Sequence, residues 1–428
     1  MQGKPKVVVD FLKLFWKEGA VFLLVATTIW ATLLNYYLAK AALIALFILS
    51  WLFLFFPKNR GLTSAEKFFA VFGSLIFLNA LLSILLNGLH SYATPKLELY
   101  AKYLLPLPLL LMLTRVKLKP AVFWWIICIA SYIAGTITVI EVSLGYVRAK
   151  IHGQAIIFGN LAIMCSILSL VSFPYFKRLK LSWVAAGAFC MGTWASIYSE
   201  TRGGWIALPP AILLYIWFYR RKFKRVHILL FVIGSILFGT LIWTIPESKV
   251  QHRVDMAYSD LSRYLAGDTS AANTPVGARL EMWYAAWEAF KENPLLGIGV
   301  GEFNEWLKKL DAKGKTHSVT MFKHAHNEYF EILMGRGLLG FFIMALFVAW
   351  MLRYFYRTIT DDKCKQIRPF GLSGLLFIIT YLQFCLTESF FSTHLGAGFF
   401  VVVISLLIHF IESTRFSTAT QAAVADHL

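Results

Sequence analysis

The chain has 428 residues, of which 58% are hydrophobic and only 15% charged, and its formal net charge is +18. This composition excludes an ordinary soluble globular protein. In a soluble chain so many basic residues would indicate nucleic-acid binding. In a membrane protein they follow from topology and from attraction to anionic lipid. We therefore expect membrane lipids, and no nucleic acid, as partners.

Long apolar runs predict an all-α polytopic membrane protein with about twelve transmembrane helices, since about 20 apolar residues cross a bilayer. The fourth run contains Pro106 and Pro108, which predict a kink. The chain divides into spans 1–9 in residues 1–245, a polar loop in residues 246–328, and spans 10–12 with a short tail in residues 329–428. The runs lie near 16–37, 40–56, 65–89, 99–114, 120–141, 153–174, 181–199, 204–219, 227–245, 329–353, 370–390 and 394–412.

Lys and Arg concentrate in alternate connecting segments, beginning with the N-terminus. The positive-inside rule then predicts cytoplasmic N- and C-termini and an external polar loop. The first apolar run is too long for a cleaved signal peptide and is expected to be an uncleaved anchor.

The polar loop is predicted to be mostly helical. Apolar residues at helical spacing predict an amphipathic helix over 247–266. Residues 267–274 have the composition of a flexible linker. A capping Thr followed by Pro predicts a helix from Pro275 to Glu292, another helix spans about 302–312, and a last one begins near His326.

Arg202 follows the seventh span on the external side, where the positive-inside rule disfavours it. Gly203 and Gly204 follow directly, so that backbone and ligand can approach closely at the N-terminus of the next helix. A snorkelling interfacial Arg is the alternative. We favour an anion-binding site.

Arg279 and Trp283 are four residues apart on the second loop helix and share one face. A surface cation–π pair is the ordinary explanation for such spacing. Together with Arg202, however, Arg279 supplies a second external cation for an anionic substrate, and Trp283 beside it is expected to bind the substrate.

His326 is expected at the start of the helix that enters the tenth span. The positive end of a helix dipole disfavours imidazolium, so a neutral ring could act as a general base. Asn327 and Glu331 are near enough in sequence to orient the ring or to bind a sugar hydroxyl.

Three further features of the sequence bear on function. Glu388, at the external end of the eleventh span, is a functional candidate because carboxylates buried in a membrane bundle are costly. A zinc site of His317, His324 and His326 is disfavoured, because no Cys or clear carboxylate completes the set. The glycines of 297–301 are expected to form a packing turn and not a phosphate loop.

Residues 195–345 resemble the O-antigen ligase and polymerase superfamily of membrane glycosyltransferases. The resemblance rests on Thr201-Arg202-Gly203-Gly204-Trp205, on Arg279 with Trp283, and on the His326-Asn327 pair. It implies a GT-C-like architecture with a catalytic site of Arg202, Arg279 and His326 at the external loop.

The resemblance implies transfer of a glycan from undecaprenyl pyrophosphate to a lipid A–core sugar hydroxyl, at the periplasmic face of a Gram-negative inner membrane. Pyrophosphate leaves without a general acid but its charge must be neutralised, which arginines do through bidentate hydrogen bonds. Attack opposite the leaving group would invert the anomeric carbon. No metal is expected, because the short first external loop contains no acidic residue. No cofactor is expected either.

Three alternatives remain. An O-antigen polymerase or a protein O-oligosaccharyltransferase would use the same donor with another acceptor; the size of the loop and the short C-terminal tail favour the ligase. A transporter of lipid-linked glycans would show internal repeats or broken helices, and neither is evident in the sequence.

Overall fold

The structure is a computed structural model that describes residues 4–88, 93–146, 154–220, 250–317 and 322–425, together with residues 233, 240 and 244; for some of them, including Arg202, only the backbone is described. The described residues form fifteen α-helices and no strand. The helices are α1 Lys4–Leu34, α2 Tyr36–Leu52, α3 Ser64–Asn87, α4 Ala93–Ala101, α5 Pro106–Leu113, α6 Val122–Ser143, α7 Ala155–Arg178, α8 Ser182–Tyr198, α9 Arg202–Tyr219, α10 Val250–Leu265, α11 Pro275–Glu292, α12 Phe303–Ala312, α13 Glu328–Ile359, α14 Arg368–Phe384 and α15 His394–Ala425.

Eight helices in the described part of the chain are long and apolar enough to cross a membrane. The chain is therefore a multi-pass, all-helical membrane protein, as the composition predicted. The eight segments are Lys17–Leu34, Tyr36–Phe55, Ser64–Asn87, Val122–Ser143, Ala155–Arg178, Glu328–Ile359, Lys365–Phe384 and His394–Gln421.

The other four predicted spans have different outcomes. The fourth is divided into α4, a 3₁₀ turn and α5, with Pro106 as the first residue of α5, so the predicted kink is a break. The seventh and eighth correspond to the shorter helices α8 and α9. The ninth, at 227–245, lies outside the described residues apart from single positions.

The two most buried of the membrane-length helices form the centre of the bundle. In α15, 94% of the membrane-length segment is buried, and in α7 83%, whereas in α2 only 22% is buried. Since most of the apolar side chains of α2 are not buried by other parts of the protein, we expect α2 to lie at the lipid-facing edge.

The polar loop has a small core of its own, made by α11, α12 and the start of α13. Met282, Phe303 and Leu307 are almost fully buried in it, and the indole of Trp306 donates to Ala285 O at 2.9 Å. The Thr274 hydroxyl accepts from Gly277 N and so caps α11 as the sequence predicted. These contacts give the loop a fixed shape against the bundle.

The prediction of a flexible linker at residues 267–274 is wrong. Thr269–Asn273 forms a 3₁₀ helix, which the Asp268 side chain caps by accepting from Ser270 N. Ala271 and Ala272 are buried, and a Cβ at Gly277 would lie 1.9 Å from Ala271 O. The segment packs directly on α11, which composition alone could not show.

The turn at residues 293–301 packs on α13, as expected for a packing turn. Ile298 N donates to Met334 O at 2.7 Å and Leu338 N donates to Pro294 O at 2.8 Å. At this point α13 is kinked at Gly337, whose φ is +58°. A Cβ there would lie 2.4 Å from the backbone of Leu295, so glycine is required both by conformation and by space.

Candidate active site

A short non-helical segment, residues 322–327, presents His326 between the polar loop and α13. Its backbone is fixed at Ala325, whose N–H donates to Glu331 Oε2 and whose carbonyl accepts from the Trp283 indole, each at 3.0 Å. The helix begins two residues after His326, since Asn327 is its N-cap and Asn327 Oδ1 accepts from the N–H groups of Tyr329 and Phe330.

His326 itself has a left-handed backbone, with φ +50°. For a residue other than glycine this conformation costs about 1–2 kcal/mol. Such strain persists only where the surroundings impose it, and it concentrates at functional sites. Here the bonds to Ala325 and the Asn327 cap impose it from both sides.

Glu388 is the partner of His326. Its Oε2 lies 3.1 Å from His326 Nδ1, with 5% of the Glu388 side chain and 21% of the His326 side chain exposed. Burial opposes ionisation of Glu388, but the hydrogen bond from His326, the two nearby imidazoles and Ser389 N–H together lower its pKa below the ordinary value. An ionised carboxylate can only accept, so Nδ1 carries the proton and Nε2 keeps its lone pair.

His324 lies beside this pair. Its Nδ1 is 3.6 Å from Glu388 Oε1, and the His324 and His326 ring centroids are 4.0 Å apart. Burial, the His326 ring and the charge of Lys96 lower the pKa of His324, although Glu388 and Glu331 oppose them. His324 is therefore neutral at pH 7.

The backbone of the Arg202-Gly203-Gly204 motif lies next to the His326–Glu388 pair. Gly203 and Gly204 lie in the first turn of α9, where a Cβ on Gly203 would be 2.5 Å from the Thr387 hydroxyl. The motif thus packs against the turn that contains Glu388. The Arg202 side chain is not among those that the structure describes.

Arg279 is half-buried on α11 and interacts electrostatically with Glu388. Burial lowers the pKa of its guanidinium, and Glu388 opposes that effect. Within the described ranges Arg279 forms no hydrogen bond or ion pair. A buried guanidinium of this kind can bind an anionic ligand.

Lys96, on α4, was not identified from the sequence. Its Nζ is 3.2 Å from Glu331 Oε1, and although burial disfavours its charge, Glu331 raises its pKa. The signal was available: like Arg202, it is a basic residue in a segment predicted to be external, where the positive-inside rule disfavours it.

A cavity of about 690 Å³ lies beside Lys96, the two histidines and Glu388. This volume falls within the usual range for ligand sites, about 300–1,000 Å³. Its walls combine α4, the start of α7, the loop segment with the two histidines, and the turn before α15. The charged and imidazole side chains that line it are Lys96, Lys323, His324, His326, Glu388 and His394.

Three residues predicted to bind substrate have their polar groups engaged within the protein. Trp283 donates to Ala325 O and stacks on Phe330, and Asn327 caps α13 while its Nδ2 donates to Leu386 O at 3.1 Å. Glu331 bonds to Lys96 and Ala325. These side chains fix the segment around His326, and Glu388 is the ring's partner.

Residues 186–345 match the family described as O-antigen ligase. This part of the chain is similar to O-antigen ligases. The resemblance predicted from the motifs is thereby confirmed, and the family implies lipid-linked glycan substrates in general.

Two relatives extend this comparison. An uncharacterized protein of Haemophilus influenzae is 28% identical over 356 residues, which are 81% of this chain and 87% of the relative. A ComP-specific O-oligosaccharyltransferase of Acinetobacter baylyi is 21% identical over 206 residues, 47% of this chain and only 33% of that enzyme. The family and the helical fold support a membrane glycosyltransferase of the O-antigen ligase and polymerase type.

Proposed function

We propose that the protein is a ligase that transfers a glycan from undecaprenyl pyrophosphate to a sugar hydroxyl of lipid A–core. In this proposal the reaction takes place at the periplasmic face of a Gram-negative inner membrane, because the distribution of Lys and Arg predicts the polar loop outside. The observation on which the proposal rests is the His326–Glu388 pair at the cavity, with Arg279 in electrostatic reach.

His326 is the general base. With its Nδ1 proton bonded to Glu388, Nε2 accepts the proton of the acceptor hydroxyl as that oxygen attacks the anomeric carbon. The new glycosidic C–O bond forms as the bond between that carbon and the pyrophosphate oxygen breaks. Attack opposite the leaving group inverts the anomeric configuration.

The departing pyrophosphate needs cations. Arg279 has no partner of its own among the described residues, and Lys96 lines the cavity with an alternative partner in Glu331. We assign both, with Arg202, to the pyrophosphate, since charge-assisted hydrogen bonds contribute about 1.5–3 kcal/mol each. No catalytic metal is needed in this scheme, and no cofactor.

A second candidate is a protein O-oligosaccharyltransferase. The A. baylyi relative supports it, because its name indicates that it transfers an oligosaccharide to ComP. That reaction would use the same base and the same cations, and only the acceptor would differ.

The test is a two-substrate assay on the purified protein in detergent. It receives undecaprenyl-pyrophosphate glycan with lipid A–core, with a protein acceptor, or alone, and products are separated on a gel. Glycan-modified lipid A–core, formed only when both substrates are present, supports the ligase. Glycosylated protein identifies the second candidate, and longer glycan on the carrier identifies a polymerase; either result overturns the ligase.

His326→Ala is the matched inactive variant, and His317→Ala, which removes a half-exposed histidine of the same loop, is its control. If the unsubstituted protein formed no product under any condition, that result would favour the transporter and overturn the proposed enzymatic function.

A further inference from the structure

Three potential metal ligands meet at one edge of the cavity. His324, His326 and Glu388 each offer one ligand atom, and these three atoms lie within 4.8 Å of one another. His324 Nδ1 is 3.6 Å from Glu388 Oε1, and His326 Nδ1 is 3.1 Å from Glu388 Oε2. Zinc bonds of about 2.0–2.1 Å in a tetrahedron place neighbouring ligand atoms about 3.4 Å apart. A cation can therefore enter between these atoms with small side-chain shifts.

A histidine metal site is disfavoured from the sequence because no carboxylate is evident near the histidines, and the structure supplies one 62 residues after His326. Two histidines at i and i+2 would lie on different faces of a helix, but residues 322–327 are not helical, and both rings lie beside Glu388. His317, the third histidine then considered, lies instead beside Glu281, at 3.5 Å.

A second observation points to a ligand at this place. His324 Nδ1 is buried and has no hydrogen-bond partner in the part of the chain that the structure describes. A buried nitrogen lone pair without a donor is an unusual and costly arrangement. It is satisfied if a cation binds there.

We propose that His324, His326 and Glu388 bind a divalent transition-metal ion of the zinc class, and that this ion inhibits glycan transfer. Two imidazoles and one carboxylate suit zinc, cobalt or nickel, whereas magnesium and calcium require oxygen ligands. The fourth position faces the cavity. The inhibitory part rests on the proposed function; the binding part does not.

Inhibition follows from the proton on His326. A metal at Nδ1 displaces the proton that Glu388 accepts, and the neutral ring then carries its proton on Nε2. Nε2 can no longer accept a proton from the acceptor hydroxyl. No net proton is released, and the base is lost without any change in the fold.

Nearby charges limit the affinity. Lys96 and Arg279 repel a cation, but Glu331 pairs with Lys96 at 3.2 Å, and Glu388 supplies negative charge directly to the ligand set. Binding is therefore expected to be reversible by chelators.

The binding test uses the full chain, stripped of metal and titrated with Co²⁺ alone, with the visible d–d bands as readout and Zn²⁺ as competitor. His324→Ala and Glu388→Gln should each weaken binding by about tenfold or more, since loss of a residue that only orients a metal ligand already lowers metal affinity by about that factor. His317→Ala should bind as the unsubstituted protein does. Absent bands, or equal affinity in all variants, would overturn the site.

The inhibition test uses the transfer assay with added Zn²⁺. Transfer should fall and recover with EDTA, while transfer by His324→Ala, measured against its own rate without metal, should resist Zn²⁺. Zn²⁺ that binds without slowing transfer overturns the inhibitory part. If no transfer is found at all, the proposed function fails, and the Co²⁺ titration still decides the metal site.

Discussion

Glu388→Gln is the most informative single substitution, because it keeps the shape of the side chain and removes its charge. In the native site the carboxylate accepts the Nδ1 proton at 3.1 Å and leaves Nε2 free. The glutamine amide can instead donate to Nδ1, which favours the tautomer with its proton on Nε2. That tautomer cannot act as the base.

The expected loss follows from the contact. A hydrogen bond to a charged group contributes about 1.5–3 kcal/mol, and each 1.36 kcal/mol is a factor of ten in rate. Glu388→Gln should therefore lower the rate about 10- to 150-fold. His326→Ala should lose about 10²- to 10⁴-fold, the usual contribution of a general base.

Initial rates of transfer with purified variants measure the loss in Glu388→Gln and His326→Ala, and Glu281→Gln is the matched control. Glu281 is as buried as Glu388, and it accepts from Tyr264 and from His317 N instead of from the site. The double variant should be no slower than His326→Ala, because the two residues act as one unit. A Glu388→Gln rate within a few-fold of native, with His326→Ala inactive, would refute the pairing.

Four further outcomes are expected in the same assay. Arg279→Ala should abolish transfer with normal expression, and Arg279→Lys should restore only part of it, since lysine lacks the bidentate geometry. Lys96→Met should reduce transfer about tenfold or more, if it contributes one charge-assisted hydrogen bond of about 1.5 kcal/mol. Gly203→Ala should lower both yield and activity, because its Cβ would meet the Thr387 hydroxyl at 2.5 Å. Transfer should continue fully in EDTA, and a strict metal requirement would contradict the base-and-arginine scheme.

The long apolar runs, the helix caps and the loop helices could be predicted from the sequence because each depends on local spacing. The Thr274 hydroxyl caps α11 at the position that the sequence predicted, and α12 begins within a residue of its expected start. The segment at 267–274 failed because its order comes from burial of Ala271 and Ala272 against another element.

The histidine and the arginines were recognised from their motifs, but their partners were not. Glu388 was identified only as a costly buried carboxylate. Its contact with His326 depends on two hydrogen bonds between the start of α13 and the turn after α14. Glu328 N donates to Cys385 O at 2.9 Å, and Asn327 Nδ2 donates to Leu386 O at 3.1 Å. Sequence reasoning also could not decide whether Asn327 and Trp283 bind a substrate or the backbone, since both uses require the same donors and acceptors.

Glu388 is expected both to orient the base and to bind the inhibitory cation, and the two roles can be separated. Both depend on the carboxylate facing His326 Nδ1, so Glu388→Gln should weaken catalysis and Co²⁺ binding together. His324 binds the cation through a nitrogen that has no hydrogen-bond partner among the described residues, so His324→Ala should weaken Co²⁺ binding and slow transfer much less than Glu388→Gln does. If His324→Ala slowed transfer as much as Glu388→Gln did, the two histidines would act as one catalytic unit, and the separation of roles would be wrong.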